Sequence, residues 1–269
     1  MPFDDAYFNI GRLDRLSYKE TFVHRLDPRA KLIATILFLF TVISFPKYEV
    51  VALAPFFLFP ALLMTIGDIP VLFILKKVLI VSPFAIFIGI FNPFLDTRTV
   101  VVIAEIPVSA GCISFLSILL KFALTVSAAL LLIATTSFPG VCHAFRRLGL
   151  PSLFVSQLLF LYRYIFVLLE EAMRIARARD MRSFGTRGTG VKVFIRIIGT
   201  LFVRTVDRAE RIYYAMLSRG FKGDIPSLKQ SSFSRKDFLF VVSTIAFLIM
   251  FRFFRVAEGI GRFAQELLK

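Results

Sequence analysis

The apolar positions of this chain come in long unbroken runs and seldom alternate with polar ones. Leu32–Phe45 and Ile113–Ala134 hold no acidic residue, and such runs suit a bilayer core of about 30 Å. The breaks between runs predict the elements. A first span is expected over about Lys31–Phe45, stopped by Pro46-Lys47. A second is expected over Val50–Ile66, stopped by Gly67-Asp68, with Pro55 and Pro60 inside it as membrane helices tolerate. A third runs from beyond Lys76-Lys77 to about Phe91, a fourth over Ile113–Thr135 and a last over Phe238–Phe251. Thr97–Gly111, with Glu105 and Pro107, reads as a loop or a re-entrant piece. Pro139–Leu169 is rich in Leu and Phe but broken by Arg146, Arg147, Pro151 and Arg163.

Gln157–Phe221 has a different character. Between Glu170 and Lys222 twelve basic residues stand against five acids, a load that no bilayer-spanning helix tolerates. The periodicity is helical all the same. Phe194, Ile198, Leu201, Thr205, Ala209, Ile212 and Met216 fall on one stripe, with Arg196, Arg204, Arg208 and Arg211 off it. One amphipathic helix is therefore expected over about Val193–Arg219, ended by Gly220 and kept from restarting by Pro226. A preceding helix rises out of the apolar Leu158–Leu169 run and ends at Gly185, leaving Gly185–Gly190 as the link. The fold class this predicts is all-α: a polytopic membrane protein with about five transmembrane helices and a cytoplasmic pair of long amphipathic helices. The divisions are a cytoplasmic segment 1–30, a helical bundle 31–150, the amphipathic pair at 151–222, a last transmembrane helix at 236–256 and a tail at 257–269.

Composition sharpens this. Hydrophobic residues make up 57% of the 269, with 33 Phe, and only 19% are charged, against about 25% charged in soluble domains. An ordinary soluble enzyme, a disordered chain and a disulfide-stapled module are excluded. The net charge of +15 follows from retention of Lys and Arg in cytoplasmic loops, with an acidic protein partner as a further source; no nucleic-acid partner is implied. Placing Arg25, Arg29 and Lys31 inside puts Lys76-Lys77 and Arg146-Arg147 inside as well, and only Lys47 and Arg98 outside. Pro151–Leu169 must then lie along the membrane or against other helices. The last span leaves Arg255, Arg262 and Lys269 outside, which a sixth crossing would repair. Residues 1–29 do not read as a secretory signal peptide.

The chemistry in the sequence is sparse. No G-x-x-x-x-G-K-[ST] appears, so ATP would have to be hydrolysed by a partner. The Gly185–Gly190 stretch reads as a flexible turn. His24 and His143 lack acidic neighbours at ligand spacing, and Cys112 and Cys142 read as small packing residues; no metal or cofactor is expected. The spans carry no carboxylate of the kind ion-coupled carriers need, only Asp237 at an edge. What remains is two arginines in matching settings, Met181-Arg182-Ser183 and Ser218-Arg219-Gly220. Each closes an amphipathic helix, where the helix end favours a cation. That alone would explain either one. Two of them form a two-pronged docking element for a partner with two acidic clefts, since the planar Arg fork pairs bidentately with carboxylate.

Three segments carry a family resemblance. They are His24-Arg25-Leu26-Asp27-Pro28-Arg29-Ala30-Lys31-Leu32, Ala178-Arg179-Asp180-Met181-Arg182-Ser183, and the long run from Arg208-Ala209-Glu210-Arg211 to Leu217-Ser218-Arg219-Gly220-Phe221. Thr135-Thr136 and Leu148-Gly149-Leu150-Pro151 fit as well. The chain resembles the transmembrane T component of energy-coupling-factor (ECF) transporters, and most closely the CbiQ branch. The resemblance implies a non-catalytic coupling subunit, multi-pass in a prokaryotic cytoplasmic membrane. Its partners would be two ABC-type ATPases and a substrate-binding S component. Arg182 and Arg219 would each enter a groove on one ATPase. The Ala that often precedes the motif Arg is absent here, replaced by Met181 and Ser218. The stretch Ile10–Leu16 and the length point to cobalt or nickel uptake. A T component shared for vitamins such as biotin, riboflavin and cobalamin is the alternative, and the permease of a conventional ABC importer is a third. The stripe residues Phe194, Ile198, Leu201, Ala209, Ile212 and Met216 are expected to pack on the neighbouring coupling helix or on the S component.

Overall fold

The computed structural model describes residues 16–95, 99–103, 106–183, 190–223 and 233–253. The glycine-rich residues 184–189, the stretch 10–15 and the C-terminal cations lie outside these. The described residues fall into two compact units, one from Asp14–Ser137 with Ser231–Lys269, the other from Phe138–Gln230.

In the first unit a short helix α1 (Phe22–Arg25) leads into α2 (Pro28–Ile43). The sequence dictates this start: Asp27 is the N-cap, its carboxylate accepts from the Arg29 N–H, and Pro28 occupies the first helical position, where its missing N–H costs nothing. The second predicted span is two elements, a 3₁₀ segment Val51–Phe57 and α3 (Leu58–Ile66). Pro55 lies within the 3₁₀ piece, where its ring and lost donor keep the first half from becoming α-helical. Helix α4 covers Val71–Gly89. It begins at Pro70, so Lys76 and Lys77 sit inside the helix and not ahead of it, with Lys77 over the Phe73 ring at 5.9 Å.

A short α5 (Asn92–Leu95) precedes an antiparallel strand pair, β1 (Thr99–Ile103) and β2 (Ile106–Ser109). The sequence reading had a loop or re-entrant piece here. The β-branched run Thr-Val-Val-Val-Ile favours extended backbone. Helix α6 (Ala110–Thr135) follows, N-capped by Ser109, and α10 (Arg235–Phe253) completes the unit.

The core of this unit is aromatic. Phe38, Phe45, Phe56 and Phe59 cluster with Leu53, Leu124 and Leu248. Phe38 stacks on Phe59 at 4.5 Å and Phe45 meets Phe56 edge-on at 5.1 Å. By contrast Leu72, Leu79, Ile80, Phe84 and Phe87 of α4 are exposed, a surface that acyl chains would cover.

The segment His24–Leu32 ties three helix ends together. Lys31 is buried and donates to the Thr135 carbonyl at 2.7 Å. His24 donates from Nε2 to the Ala134 carbonyl and accepts from the Thr21 hydroxyl at Nδ1. Burial holds this imidazole below its usual range. Asp237 accepts the Asp27 N–H at one oxygen and the Ser234 N–H at the other, both at 2.7 Å. The second of these is a capping-box contact at the start of α10.

In the second unit α7 (Phe138–Arg147) is followed by two long helices, α8 (Ser152–Ser183) and α9 (Val191–Ser218). No Gly or Pro interrupts Ser152–Ser183, so the apolar Leu158–Leu169 run and the arginine-rich end share one unbroken rod. By length and composition, Val71–Gly89, Ala110–Thr135 and Ser152–Arg182 are each apolar enough to cross a membrane. The last of these takes in all but the first residue of Pro151–Leu169, which the sequence reading laid along the membrane or against other helices, with a sixth crossing as the alternative. The protein is an all-α polytopic membrane protein with one small strand pair.

Candidate functional site

Helices α8 and α9 run antiparallel. Glu171 of α8 meets Arg204 of α9, and further along Phe160 packs edge-on against Phe221 at 6.1 Å while the Ser156 hydroxyl donates to the Gly223 carbonyl. The Glu171 carboxylate is the centre of this pairing. It accepts from Arg204 Nη1 at 2.7 Å and lies 3.7 Å from Arg208 and 3.8 Å from Arg174. One largely buried carboxylate thus gathers three guanidinium groups, two of them across the helix pair. Sequence reading missed it, because a pair 33 positions apart leaves no local pattern.

The register puts the two motif arginines at opposite ends of the hairpin. Arg219 lies beside the Phe160 level. Arg182 lies some twenty residues further along α8, roughly 33 Å away at a rise of about 1.5 Å per residue. Met181, Arg182, Ser218, Arg219 and Gly220 are all exposed, and Ser183 closes α8. Among the described residues neither Arg182 nor Arg219 makes an ion pair. Neighbouring arginines differ: Arg179 is held by Asp180, Arg211 donates to the Asp207 carbonyl, and Arg204 and Arg208 face Glu171.

Local sequence sets how Arg219 is presented. It is the C-cap of α9, followed by Gly220 at φ +76°. The Phe221 N–H donates to the Met216 carbonyl and the Gly220 N–H to that of Leu217, the two bonds of a Schellman turn. Glycine is required for its backbone conformation, since a Cβ there would meet nothing within 4 Å. The same turn closes α7, where Gly149 at φ +101° follows Leu148.

The predicted stripe is split. Leu201, Thr205, Ile212 and Met216 are half-buried, together with Val193, Ile197 and Arg208. Phe194, Ile198 and Ala209 are exposed, so they do not share the face that α9 turns inward. Ile195, Phe202 and Tyr214 are exposed as well. Among the described residues no three His, Cys, Asp or Glu side chains gather as a metal site requires.

Helices long and apolar enough to cross a membrane, together with an arginine-tipped helical hairpin, define a multi-pass membrane protein. The family model described as CbiQ, cobalt transport protein, matches residues 19–231. The chain belongs to this family, the CbiQ/EcfT transmembrane T components of energy-coupling-factor transporters. The uncharacterized protein MJ1571 of Methanocaldococcus jannaschii is 31% identical over 85% of the chain and 82% of its own length. The energy-coupling factor transporter transmembrane protein EcfT of Ruminiclostridium cellulolyticum is 26% identical over 84% of the chain and 90% of its own. The EcfT protein of Staphylococcus aureus is 28% identical, covering 86% and 91%.

Proposed function

We propose that this chain is the coupling subunit of an ECF-type importer in a prokaryotic cytoplasmic membrane. It passes the movements of two ABC-type ATPases to a substrate-binding S component. Arg182 and Arg219 each enter a groove on one ATPase, and the chain itself hydrolyses no ATP. The observation that carries this reading is that these two arginines are exposed at opposite ends of one hairpin and make no ion pair among the described residues. A separation of roughly 33 Å suits two equivalent clefts on a dimer better than two contacts in one cleft. Helices α8 and α9 act as the lever between them, with the exposed Phe194, Ile198 and Ala209 meeting the rest of the complex while the half-buried Leu201, Ile212 and Met216 pack on the inward face of α9.

The cargo we assign is a cobalt or nickel ion, selected by the S component; the cobalt-transport description of the matched family supports this. The relatives named EcfT favour a second reading, a T component shared among several S components for vitamins. Affinity purification of the tagged chain from its native membrane tests both. Two ATPases and one small hydrophobic protein with metal-dependent uptake are expected. Several different small hydrophobic proteins would favour the shared subunit. A self-paired chain that binds cargo without a third membrane protein would overturn both readings.

A further inference from the structure

Helix α6 carries a single charged side chain, Lys121. Position 121 is 11 residues beyond Ala110 and 14 short of Thr135, roughly 16 Å and 21 Å at about 1.5 Å per residue. Wherever a hydrocarbon core of about 30 Å is laid along this helix, Lys121 falls within it. Arg252 of α10 reaches the same level. Lys121 donates from Nζ to the Phe45 carbonyl at 2.6 Å. Arg252 lies over the Phe45 ring at 4.3 Å and donates from Nη2 to the Ser44 hydroxyl at 3.2 Å. Two cations from two helices thus meet where α2 ends.

These contacts use few of the available donors, since an ammonium has three N–H groups and a guanidinium five. Among the described residues no carboxylate lies within ion-pair distance of either side chain. Charges at membrane depth are costly and are found paired. Here two like charges share one level, so the missing partner is negative. The surface beside them is apolar. Phe40 and Ile43, within one turn of Ser44, and Ile249, one turn before Arg252, are 71%, 63% and 52% exposed. A small ion gains nothing from such a wall, whereas an apolar helix covers it and can carry the missing charge.

We infer that Lys121 and Arg252 receive a carboxylate, Asp or Glu, from a membrane-spanning helix of a partner protein. The carboxylate sits at the Arg252 fork, which suits it bidentately, and Lys121 adds charge beside it. The apolar residues of the partner helix lie on Phe40, Ile43 and Ile249. The site uses residues of the membrane bundle alone and involves neither Arg182 nor Arg219.

The test uses the full-length chain in phosphatidylcholine vesicles with synthetic membrane-spanning Leu/Ala peptides. The peptides differ only at the central residue, which is Asp, Asn or Leu. Association is read by fluorescence transfer from a dye on the chain to one on the peptide as the peptide-to-lipid ratio is raised. The Asp peptide is expected to associate roughly tenfold more tightly than the Leu peptide, with the Asn peptide between them. Arg252→Gln and Lys121→Gln, each checked for an unchanged melting profile, should each lower association of the Asp peptide about fivefold and leave the Leu peptide unaffected. If Lys121→Gln folds poorly, the Arg252→Gln protein decides alone. Equal association of the Asp and Leu peptides, or a full Asp preference in folded Arg252→Gln, would overturn the site. Loss of the Asp preference in excess sodium acetate, but not in equal sodium chloride, would overturn the helix as occupant in favour of a free carboxylate.

Discussion

Replacing Glu171 by glutamine keeps the shape of the side chain and removes the charge that holds α8 to α9. The carboxylate is 10% exposed and its closest partner is Arg204 at 2.7 Å. A hydrogen bond to a charged group contributes about 1.5–3 kcal/mol. Arg204 and Arg208 are 58% and 37% exposed, so water screens part of this. A loss of about 1–2 kcal/mol in helix pairing is expected, or roughly 5–30-fold in the equilibrium between paired and splayed hairpins. Arg182 and Arg219, the proposed docking residues, are untouched. Glu171→Gln should therefore still recover the ATPases while uptake falls and ATP turnover continues uncoupled. Spin labels at positions 181 and 218 give the direct readout, a broadened distance distribution between the hairpin ends. Exchanging the charges, Glu171→Arg with Arg204→Glu, should narrow it again. A Glu171→Gln protein with an unchanged distance distribution and full uptake would refute the clasp.

Three further outcomes are expected. Gly220→Ala places a Cβ at φ +76°, which costs about 1 kcal/mol or more. ATPase capture should weaken roughly fivefold, measured by titrated pull-down. Asp237→Ala strips the acceptor from two backbone N–H groups, those of Asp27 and Ser234. Each donor left unpaired costs about 1–3 kcal/mol, so detergent melts should show a large loss of stability that the Glu171→Gln protein lacks. Leu201→Asp places a charge on the half-buried face of α9. Uptake should fall while ATPases still copurify, measured in vesicles beside ATP turnover in the same preparation.

Much of the architecture was legible because membrane helices must satisfy their backbone internally, which makes long apolar runs unambiguous. The runs at Leu32–Phe45 and Ile113–Ala134 became α2 and α6 with small changes at the ends. The ends of α9 were readable from Gly220 and from the basic periodicity. What local pattern could not fix was which apolar face turns inward. Val193 and Phe194 are adjacent and both apolar, as are Ile197 and Ile198, so two stripes one residue apart fit the same period. The structure turns Val193 and Ile197 inward and leaves Phe194 and Ile198 exposed. Lys76 and Lys77 misled in a similar way. Two lysines read as a boundary, yet long side chains near a helix end can reach water from within it, and Pro70 is where α4 begins. Asp237 read as an acid at the edge of a span. Its function as a double acceptor depends on Asp27, 210 residues away, and no spacing rule connects the two.

The central claim is that Arg182 and Arg219 are the two contacts through which ATPase movement enters the chain. The most direct measurement is recovery of the ATPases from detergent extracts by the tagged chain carrying Arg182→Glu, Arg219→Glu or both. Truncating one partner of a buried charge pair costs about 2–5 kcal/mol, and charge reversal adds repulsion. Each single change should leave a weakened, idle complex, and the double change should recover no ATPase while the chain remains folded and in the membrane. Undiminished ATPase recovery and normal uptake by the double mutant would contradict the account.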